Sequence, residues 1–217
     1  MLRKHKITTA TLFALWHGAC LAQPQMNDDA IVLYSLGYEL GEDVKEQQIE
    51  LNQEIILQGI NDALGGTEPM FGVDVQRQAI ASLQQQRADR NLEKAETFLA
   101  ENKKRDGVTT LDSGLQYKVI TPGEGKTPGA EDTVLLNFRG TLMDGTEFAS
   151  SMNKDKPASL GLNRTIKGLS EALQLMPIGS KWEIYIHPEL AFGNRSPGDK
   201  VPANSGLIYE VELLSIK

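Results

Sequence analysis

The hydrophobic pattern of this chain changes its period at Asp106-Gly107, and no other feature constrains the fold as strongly. Before this point apolar residues recur every three or four positions, the spacing of one face of a helix. After it they alternate with polar residues, which is typical of half-buried strands. The sequence therefore predicts an all-helical N-terminal part, residues 23–105, followed by a sheet domain over residues 106–217.

The first helical segments are short and rich in apolar residues. In the first of them Gly37 and Gly41 lie four residues apart on one face, which lets another helix approach closely. A second helix near residues 51–64 ends at Gly65-Gly66. Two such helices are too few and too short to enclose a core of their own. We therefore predict that residues 23–72 form a homodimerisation domain, in which the helices meet those of a second copy.

The third predicted helix is long, and its apolar residues are sparse. Residues 84–90 contain Ala88 as their only apolar residue. A helix that is polar on all sides is usually a solvated connection between domains, and about thirty residues would span roughly 45 Å. We therefore predict a linker helix over residues 73–105 that holds the C-terminal domain away from the dimer. The alternative is a helix packed against its own domain.

The C-terminal part is predicted to contain several strands and one helix. Apolar and polar residues alternate over residues 115–120, 134–139, 182–187 and 207–216. Asp144-Gly145 has the composition of a hairpin turn, and apolar residues at helical spacing over 169–176 predict a short amphipathic helix. This order predicts an α+β domain, in which an antiparallel sheet wraps around one helix.

The first 22 residues have the features of a secretory signal peptide. Arg3, Lys4 and Lys6 form a positive start, a short apolar run follows, and Cys20-Leu21-Ala22 has small residues at the positions that a signal peptidase reads. We therefore expect cleavage after Ala22 and export to the periplasm. Two alternatives stay open, an outer-membrane lipoprotein acylated on Cys20 and a secreted protein.

Charge and composition argue against several classes of function. The formal net charge is −7 and no basic patch is present, so nucleic acid is not an expected partner. No stretch approaches the roughly 18 apolar residues of a transmembrane helix. Cleavage after residue 22 would leave His187 as the only histidine and would remove the only cysteine. We therefore expect no metal site and no histidine-based catalytic triad.

A series of segments in the C-terminal part follows the order of a known family's motifs. They are residues 137–148, 166–169, 176–179, 186–193, 201–205 and 209–214. These segments resemble the FKBP-type peptidyl-prolyl isomerases. The helical part, including residues 34–41, resembles the dimerising N-terminal domain of the exported Mip- and FkpA-type members. The resemblance implies a half-barrel sheet around one helix, with a proline-binding pocket between them.

The resemblance also implies a set of pocket residues. The expected catalytic positions are Phe138, Phe148, Ile166, Phe192 and Tyr209. The expected substrate-binding positions are Thr165, Leu169, Val201, Ala149 and Trp182. By resemblance, the backbone N–H of Ile166 would hold a substrate carbonyl.

Proline isomerisation needs no nucleophile, metal or cofactor, and we expect none. The barrier of about 18–20 kcal/mol to rotation of a peptide bond arises from resonance, which places negative charge on the carbonyl oxygen. Water stabilises that charge. An apolar pocket that removes the water therefore favours the less polar twisted state, and with it the rate.

Five pocket positions depart from the family pattern. Phe138 and Phe192 stand where tyrosine is usual, Ala149 where aspartate is usual, Leu169 in place of a tryptophan and Ala158 in place of a phenylalanine. The pocket is expected to be more apolar, shallower and short of side-chain donors. We therefore expect weak isomerase activity on unfolded or proline-containing exported polypeptides, and reduced affinity for the family's macrolide inhibitors.

Two kinds of function are consistent with these features. The first is an isomerase that assists the folding of exported proteins. The second is a periplasmic chaperone, in which a V-shaped dimer holds non-native clients between two domains by avidity and isomerase activity is vestigial. A surface protein that contacts a host is a third and weaker alternative.

Overall fold

The computed structural model describes residues 27–46, 49–152 and 156–217, and the predicted signal segment, residues 1–22 with Cys20, lies outside them. The chain divides between Met70 and Phe71 into two compact units. In the described part, the first unit contains two helices. The second contains a long helix, an antiparallel sheet and a short helix.

The first unit consists of helix α1, Asp28–Glu46, and helix α2, Gln53–Leu64. Each begins at an asparagine whose side-chain oxygen accepts a backbone N–H of the first turn, at 3.0 Å for Asn27 and 3.2 Å for Asn52. This bond satisfies one of the free donors at a helix N-terminus. Helix α2 ends at the predicted glycine pair, where Gly66 adopts a positive φ of 67°.

Both helices of the first unit leave large apolar side chains uncovered. Residues of this kind that are more than half exposed include Ile31, Val32, Leu33, Tyr34, Leu36, Tyr38, Ile55, Leu57 and Leu64. None of the residues of α2 is buried in the described chain. Because exposed apolar surface of this extent on a soluble protein marks an interaction site, α1 and α2 are candidates for contact with another chain.

Helix α3, Val73–Asn102, belongs to the second unit and is a single helix of 30 residues. Its N-terminal half is exposed, as at Ile80, but Ala88, Ala95 and Leu99 in its C-terminal half are buried. This half therefore packs against its own unit, as in the alternative to the linker helix, and only the N-terminal half is solvated. The buried stripe is narrow and contains alanine, which lets the helix approach closely but adds little to the hydrophobic signal of the sequence.

The remainder of the second unit is a seven-stranded sheet, as far as the chain is described, in which all paired strands are antiparallel. The strands are β1 Val108–Thr110, β2 Gln116–Thr121, β3 Thr133–Leu142, β4 Glu147–Ser150, β5 Ala158–Gly161, β6 Lys181–Ile186 and β7 Leu207–Ile216. Their spatial order is β1-β2-β6-β7-β3-β4, and β5 also pairs with β3. Helix α4, Lys167–Leu175, follows β5. The predicted α+β architecture, a helical part followed by an antiparallel sheet with one short helix, is confirmed.

One face of the sheet packs on α4 and forms the main core. The apolar residues that alternate along β6 and β7 are buried there, among them Ile184, Ile186 and Val211. From α4, Leu169, Ala172 and Leu173 pack against the same cluster. Helix and sheet approach so closely at Gly168 that an idealised Cβ there would lie 2.6 Å from Cγ2 of Ile186. A side chain at this position would force α4 away from the sheet.

The opposite face of the sheet is covered by the C-terminal half of α3. The rings of Phe98 on α3 and Tyr185 on β6 are 6.0 Å apart. Next to them, Asn102 donates from Nδ2 to Oε1 of Gln116 on β2 at 2.9 Å, and Gln116 donates from Nε2 to the Leu99 carbonyl at 3.0 Å. Because buried polar groups require partners, this pair of bonds allows two amides to lie inside the helix–sheet contact.

Candidate functional site

Three aromatic rings meet at the β4 side of the sheet, on the face that packs on α4. Phe138 lies on β3, Phe148 on β4 and Tyr209 on β7. The Phe148 and Tyr209 rings pack edge to face with centroids 5.7 Å apart, and those of Phe138 and Tyr209 are tilted at 6.1 Å. Aromatic pairs prefer such arrangements. The three rings together form the aromatic cluster of the site.

Gly140 makes room for this cluster. It pairs with Tyr209 of β7 on one side and with Ala149 of β4 on the other. An idealised Cβ at Gly140 would lie 2.7 Å from Cζ of Phe148 and 3.2 Å from Cε1 of Tyr209. Two rings therefore occupy the space that a side chain would need. The absence of a side chain at Gly140 places Phe148 over β3.

The backbone of Phe138 is fixed by a neighbouring serine that the sequence did not indicate. The Phe138 N–H donates to Oγ of Ser151 at 2.9 Å, and the Ser151 N–H donates to the Phe138 carbonyl at 2.9 Å. Ser151 is buried. A serine that follows a strand carries no sequence signal that distinguishes it from a turn residue, and only the pairing of β3 with β4 reveals its role.

The N-terminus of α4 supplies backbone donors beside the core. Ile166 is the N-cap residue and has an extended backbone, and no side chain caps this helix. The first helical bond runs from the Ser170 N–H to the Ile166 carbonyl. Among the described residues the Ile166 N–H has no acceptor, so it is free to bind a carbonyl group. The preceding Thr165 and the Ile166 side chain are both half-buried.

The remaining predicted site residues lie in different places. Leu169 and Val201 are buried in the main core, and Phe192 packs against it while partly exposed. Across the described part of the chain, Phe192 forms no ring pair with the aromatic cluster. Ala149 is half-buried on β4. Trp182 is buried in a separate pair, stacked on Tyr117 with centroids 4.2 Å apart and planes 11° apart.

Tyr209 is a side-chain donor in a cluster that the sequence predicts to be short of them. Its residue surface is 7% exposed, and burial raises the pKa of its hydroxyl to about 12. No hydrogen-bond partner for this hydroxyl exists within the described residues. The hydroxyl oxygen itself is not fully buried, so it can bond to water or to a bound ligand. Tyr209 was predicted here for its ring, and its hydroxyl is an additional polar group.

A second recess lies on the outer side of α4. It is lined by Leu111, Asp112, Ser113, Lys167, Ser170, Glu171, Gln174 and Leu175. Oγ of Ser113 donates to Oε1 of Glu171 at 2.8 Å across it. This recess is shallow and contains none of the predicted site residues. The aromatic cluster, which shares the main core with Ile166 at the α4 N-terminus, is therefore the better candidate for the functional site.

Residues 27–46, 49–152 and 156–217 contain no group of three or more His, Cys, Asp or Glu side chains that could hold a metal ion. Within the same residues no helix is long and apolar enough to cross a membrane.

Two family models match the chain. One, described as a domain amino terminal to FKBP-type peptidyl-prolyl isomerase, matches residues 29–119, and the other, FKBP-type peptidyl-prolyl cis-trans isomerase, matches residues 124–214. The chain is also 40% identical over 196 residues to the FKBP-type 22 kDa peptidyl-prolyl cis-trans isomerase of Escherichia coli (strain K12), covering 87% of this chain and 95% of that protein. This chain belongs to the FKBP-type peptidyl-prolyl cis-trans isomerase family.

Other similar proteins share both parts of this FKBP-type chain. It is 34% identical over 229 residues to the Outer membrane protein MIP of Legionella longbeachae, covering 99% of this chain and 98% of that protein. Its fold is similar to the crystal structure of FkpA from Escherichia coli, with a TM-score of 0.65 and 32% identity over 88% of this chain and 97% of that one. The resemblance to Mip- and FkpA-type proteins is confirmed.

In this FKBP domain, the chemistry available at the site is non-covalent. The rings of the aromatic cluster can exclude water from a bound amide, and the free N–H of Ile166 can hold a carbonyl group. The hydroxyl of Tyr209 can donate one further hydrogen bond. None of these groups forms a covalent bond to a substrate, and rotation about a peptide bond requires none.

Proposed function

We propose that this chain catalyses the cis–trans isomerisation of prolyl bonds in exported polypeptides. The observation that carries the proposal is the cluster of Phe138, Phe148 and Tyr209, which belongs to the same core as Ile166, whose N–H has no acceptor among the described residues. A prolyl ring seated against the rings loses water from its amide, and the twisted amide is less polar than the planar one. The site therefore favours the state in which rotation occurs.

The other predicted residues complete the proposed pocket. Leu169 forms its base, Val201 and Phe192 come from the segment between β6 and β7, and Thr165 precedes the backbone donor. Ala149 leaves an open position beside Phe148. We assign Trp182 a supporting role at most, since it is stacked on Tyr117.

We further propose that turnover is weak and that affinity for the family's macrolide inhibitors is reduced. Phe138 and Phe192 lack the hydroxyls that are usual at their positions, and Ala149 and Leu169 lack a carboxylate and an indole ring. The hydroxyl of Tyr209 supports some residual recognition of a substrate carbonyl. Each 1.36 kcal/mol of lost transition-state binding lowers the rate about tenfold.

A proline-tetrapeptide assay tests both parts of this proposal. The wild-type protein should accelerate isomerisation above the uncatalysed rate, and the double variant Phe138→Tyr, Ala149→Asp should raise kcat/KM by about three- to tenfold, since it restores a hydrogen-bonded pair. Leu169→Trp should raise it further. The matched control is Ala149→Asp alone, which introduces a carboxylate without its tyrosine partner and should give no gain. Absence of wild-type turnover rejects the isomerase, and equal rates in wild type and double variant reject the weakened pocket.

A second candidate function, a chaperone that binds non-native clients as a dimer, is favoured by one observation. Helices α1 and α2 expose apolar side chains over most of their length, with Leu64 at 83%. We propose that residues 23–72 cover part of this surface by forming a homodimer. Light scattering on residues 23–217 and on residues 71–217 should then give a dimer and a monomer. If the chaperone function holds, the longer chain alone should suppress aggregation of a denatured client.

The proposed location is the periplasm, since the predicted signal segment precedes the first unit and similar proteins include an outer-membrane protein. The intact mass of the exported protein tests the processing. A mass equal to that of residues 23–217 indicates cleavage after Ala22. A mass equal to that of residues 20–217 plus a lipid on Cys20 indicates a lipoprotein.

A further inference from the structure

We propose that Asn91 of helix α3 is a positioning residue for the functional site. Its side chain restrains the β6–β7 loop, residues 187–206, through a hydrogen bond. This loop contains Phe192 and Val201. The expected effect on kinetics rests on the proposed isomerase function, whereas the contact between Asn91 and the loop is a property of the fold.

Two contacts on one side of α3 restrain the loop. Nδ2 of Asn91 donates to the carbonyl of Ala203 at 3.0 Å, and this bond is partly buried. One helical turn further, Ala95 is buried against Gly206, where an idealised Cβ would lie 2.9 Å from Cβ of Ala95. Residues four apart share one face of a helix. The same face of α3 therefore meets the C-terminal end of the loop at two successive turns.

Hydrogen bonds within the loop connect this end to the site residues. Asn204, next to Ala203, has a positive φ of 55°, and its N–H donates to the carbonyl of Gly193 at 2.7 Å. Gly193 directly follows Phe192. Oγ of Ser196 donates to the carbonyl of Val201 at 2.8 Å. A restraint on Ala203 is thereby passed to both Phe192 and Val201.

The loop has few other restraints of this kind. In the described chain, the backbone–backbone hydrogen bonds of residues 188–205 all join residues of the same loop. Residues 194–200 are exposed to solvent. Exposed segments of this kind open at low free-energy cost, whereas Val201 beyond them is anchored in the main core. The contact with α3 therefore adds a hydrogen bond to a fixed element that the loop does not obtain from its own backbone.

Loosening the loop should reduce the fraction of molecules in which Phe192 and Val201 are in place. The apparent affinity for substrate falls in proportion to that fraction. A loss equivalent to one hydrogen bond corresponds to about two- to tenfold. We therefore expect Asn91→Ala to lower kcat/KM by about two- to tenfold, mainly through a higher KM.

The experiment uses the chain from residue 23 to residue 217 and measures amide hydrogen exchange together with kinetics on a proline tetrapeptide. Asn91→Ala and Asn91→Asp both remove the donor, and Asn91→Asp keeps the size of the side chain. Both should speed exchange at the Asn204 amide by about two- to tenfold. The matched control is Asn102→Ala, a second asparagine of α3 that binds Gln116 on β2. It should speed exchange near β2 and leave the loop unchanged.

Two results would overturn the proposal. One is loop exchange in both Asn91 variants equal to that of the wild type. The other is faster loop exchange without any change in KM or kcat, in a wild-type protein that does isomerise. A wild-type protein without turnover rejects the proposed function instead, and the loop exchange then still decides whether Asn91 holds the loop.

Discussion

The two faces of the sheet in the second unit are covered by different means. The face that packs on α4 is mostly apolar, with Ile184, Ile186 and Val211 buried, and it carries the aromatic cluster. The contact between the other face and α3 includes Tyr185 and two amides, those of Gln116 on β2 and Asn102 on α3. The amides bond to one another and to the Leu99 carbonyl, and the Tyr185 hydroxyl donates to Oε2 of Glu183. Apolar packing thus supports the site, and a specific polar contact attaches the long helix.

The largest effect should come from removal of the helix that covers the second face. A fragment of residues 106–217 loses α3 and leaves Tyr185 and Gln116 uncovered, whereas a fragment of residues 71–217 keeps the contact. We expect the shorter fragment to be less stable by on the order of 5 kcal/mol, since several apolar side chains lose their burial. Urea unfolding of the two fragments measures this, and equal midpoints would show that the contact contributes little.

The next effect concerns the face that carries the site. Gly140→Ala places a methyl group where Phe148 and Tyr209 lie, so we expect a loss of about 2–3 kcal/mol in stability. We also expect at least a tenfold loss in kcat/KM, because the cluster is displaced. Gly198→Ala is the control, since an idealised Cβ there meets no atom within 4 Å and its φ is not in the left-handed region. If kcat/KM is unchanged in Gly140→Ala, the aromatic cluster does not contribute to catalysis.

A smaller effect is expected from the polar contact under α3. Asn102→Ala leaves the Gln116 carbonyl oxygen without its donor, which should cost about 1–2 kcal/mol of stability. The double variant Asn102→Leu, Gln116→Leu should recover most of this loss. The Leu99 carbonyl keeps its bond from the Lys103 N–H, and Arg105, which loses Oδ1 of Asn102, is exposed to water. Thermal unfolding measures the difference, and kcat/KM should stay within about twofold of the wild type. A large loss of turnover would contradict the separation between the two faces.

The smallest effect should appear at high pH, where Tyr209 on one face and Tyr185 on the other have raised pKa values. Burial raises the pKa of Tyr209 to about 12, and burial followed by the hydrogen bond to Glu183 raises the pKa of Tyr185. Above the ordinary tyrosine pKa of 10.0 the unfolded chain releases a proton that the folded chain retains, so stability falls as pH rises toward 12. Tyr209→Phe should remove about 1 kcal/mol of this fall at pH 11. If the free energy of unfolding falls between pH 10 and 12 as steeply in Tyr209→Phe as in the wild type, this prediction is wrong. Tyr185→Phe provides the comparison for the other face.

The first face was predictable from sequence and the second was not. Alternation along β6 and β7 and helical spacing in α4 identify the core because apolar residues at period 2 or 3.6 mark a buried face. Gln116 and Tyr185 stand at positions of the opposite face, which alternation assigns to solvent. Ala88 and Ala95 of α3 are too small to raise the hydrophobic signal. The contact depends on close approach and paired amides, neither of which a periodicity analysis detects.

The aromatic residues of the candidate site were predictable from the sequence, and the residues that hold their backbone in place were not. The family motifs placed Phe138, Phe148 and Tyr209 in one pocket, and their ring contacts agree with that placement. Ser151 and Asn91 carried no signal, because each acts on backbone groups that are distant in sequence or belong to another element. Side chain to backbone bonds across elements follow from register and docking, and these are known only when the fold is complete.

The stacked pair of Trp182 and Tyr117 has a practical consequence for spectroscopy. The chain contains two tryptophans, so a protein produced from residue 23 onward carries Trp182 alone. Its indole is 5% exposed, and its emission should shift to the red only when the sheet separates from its covering. A single tryptophan thus reports unfolding of the second unit without any added label.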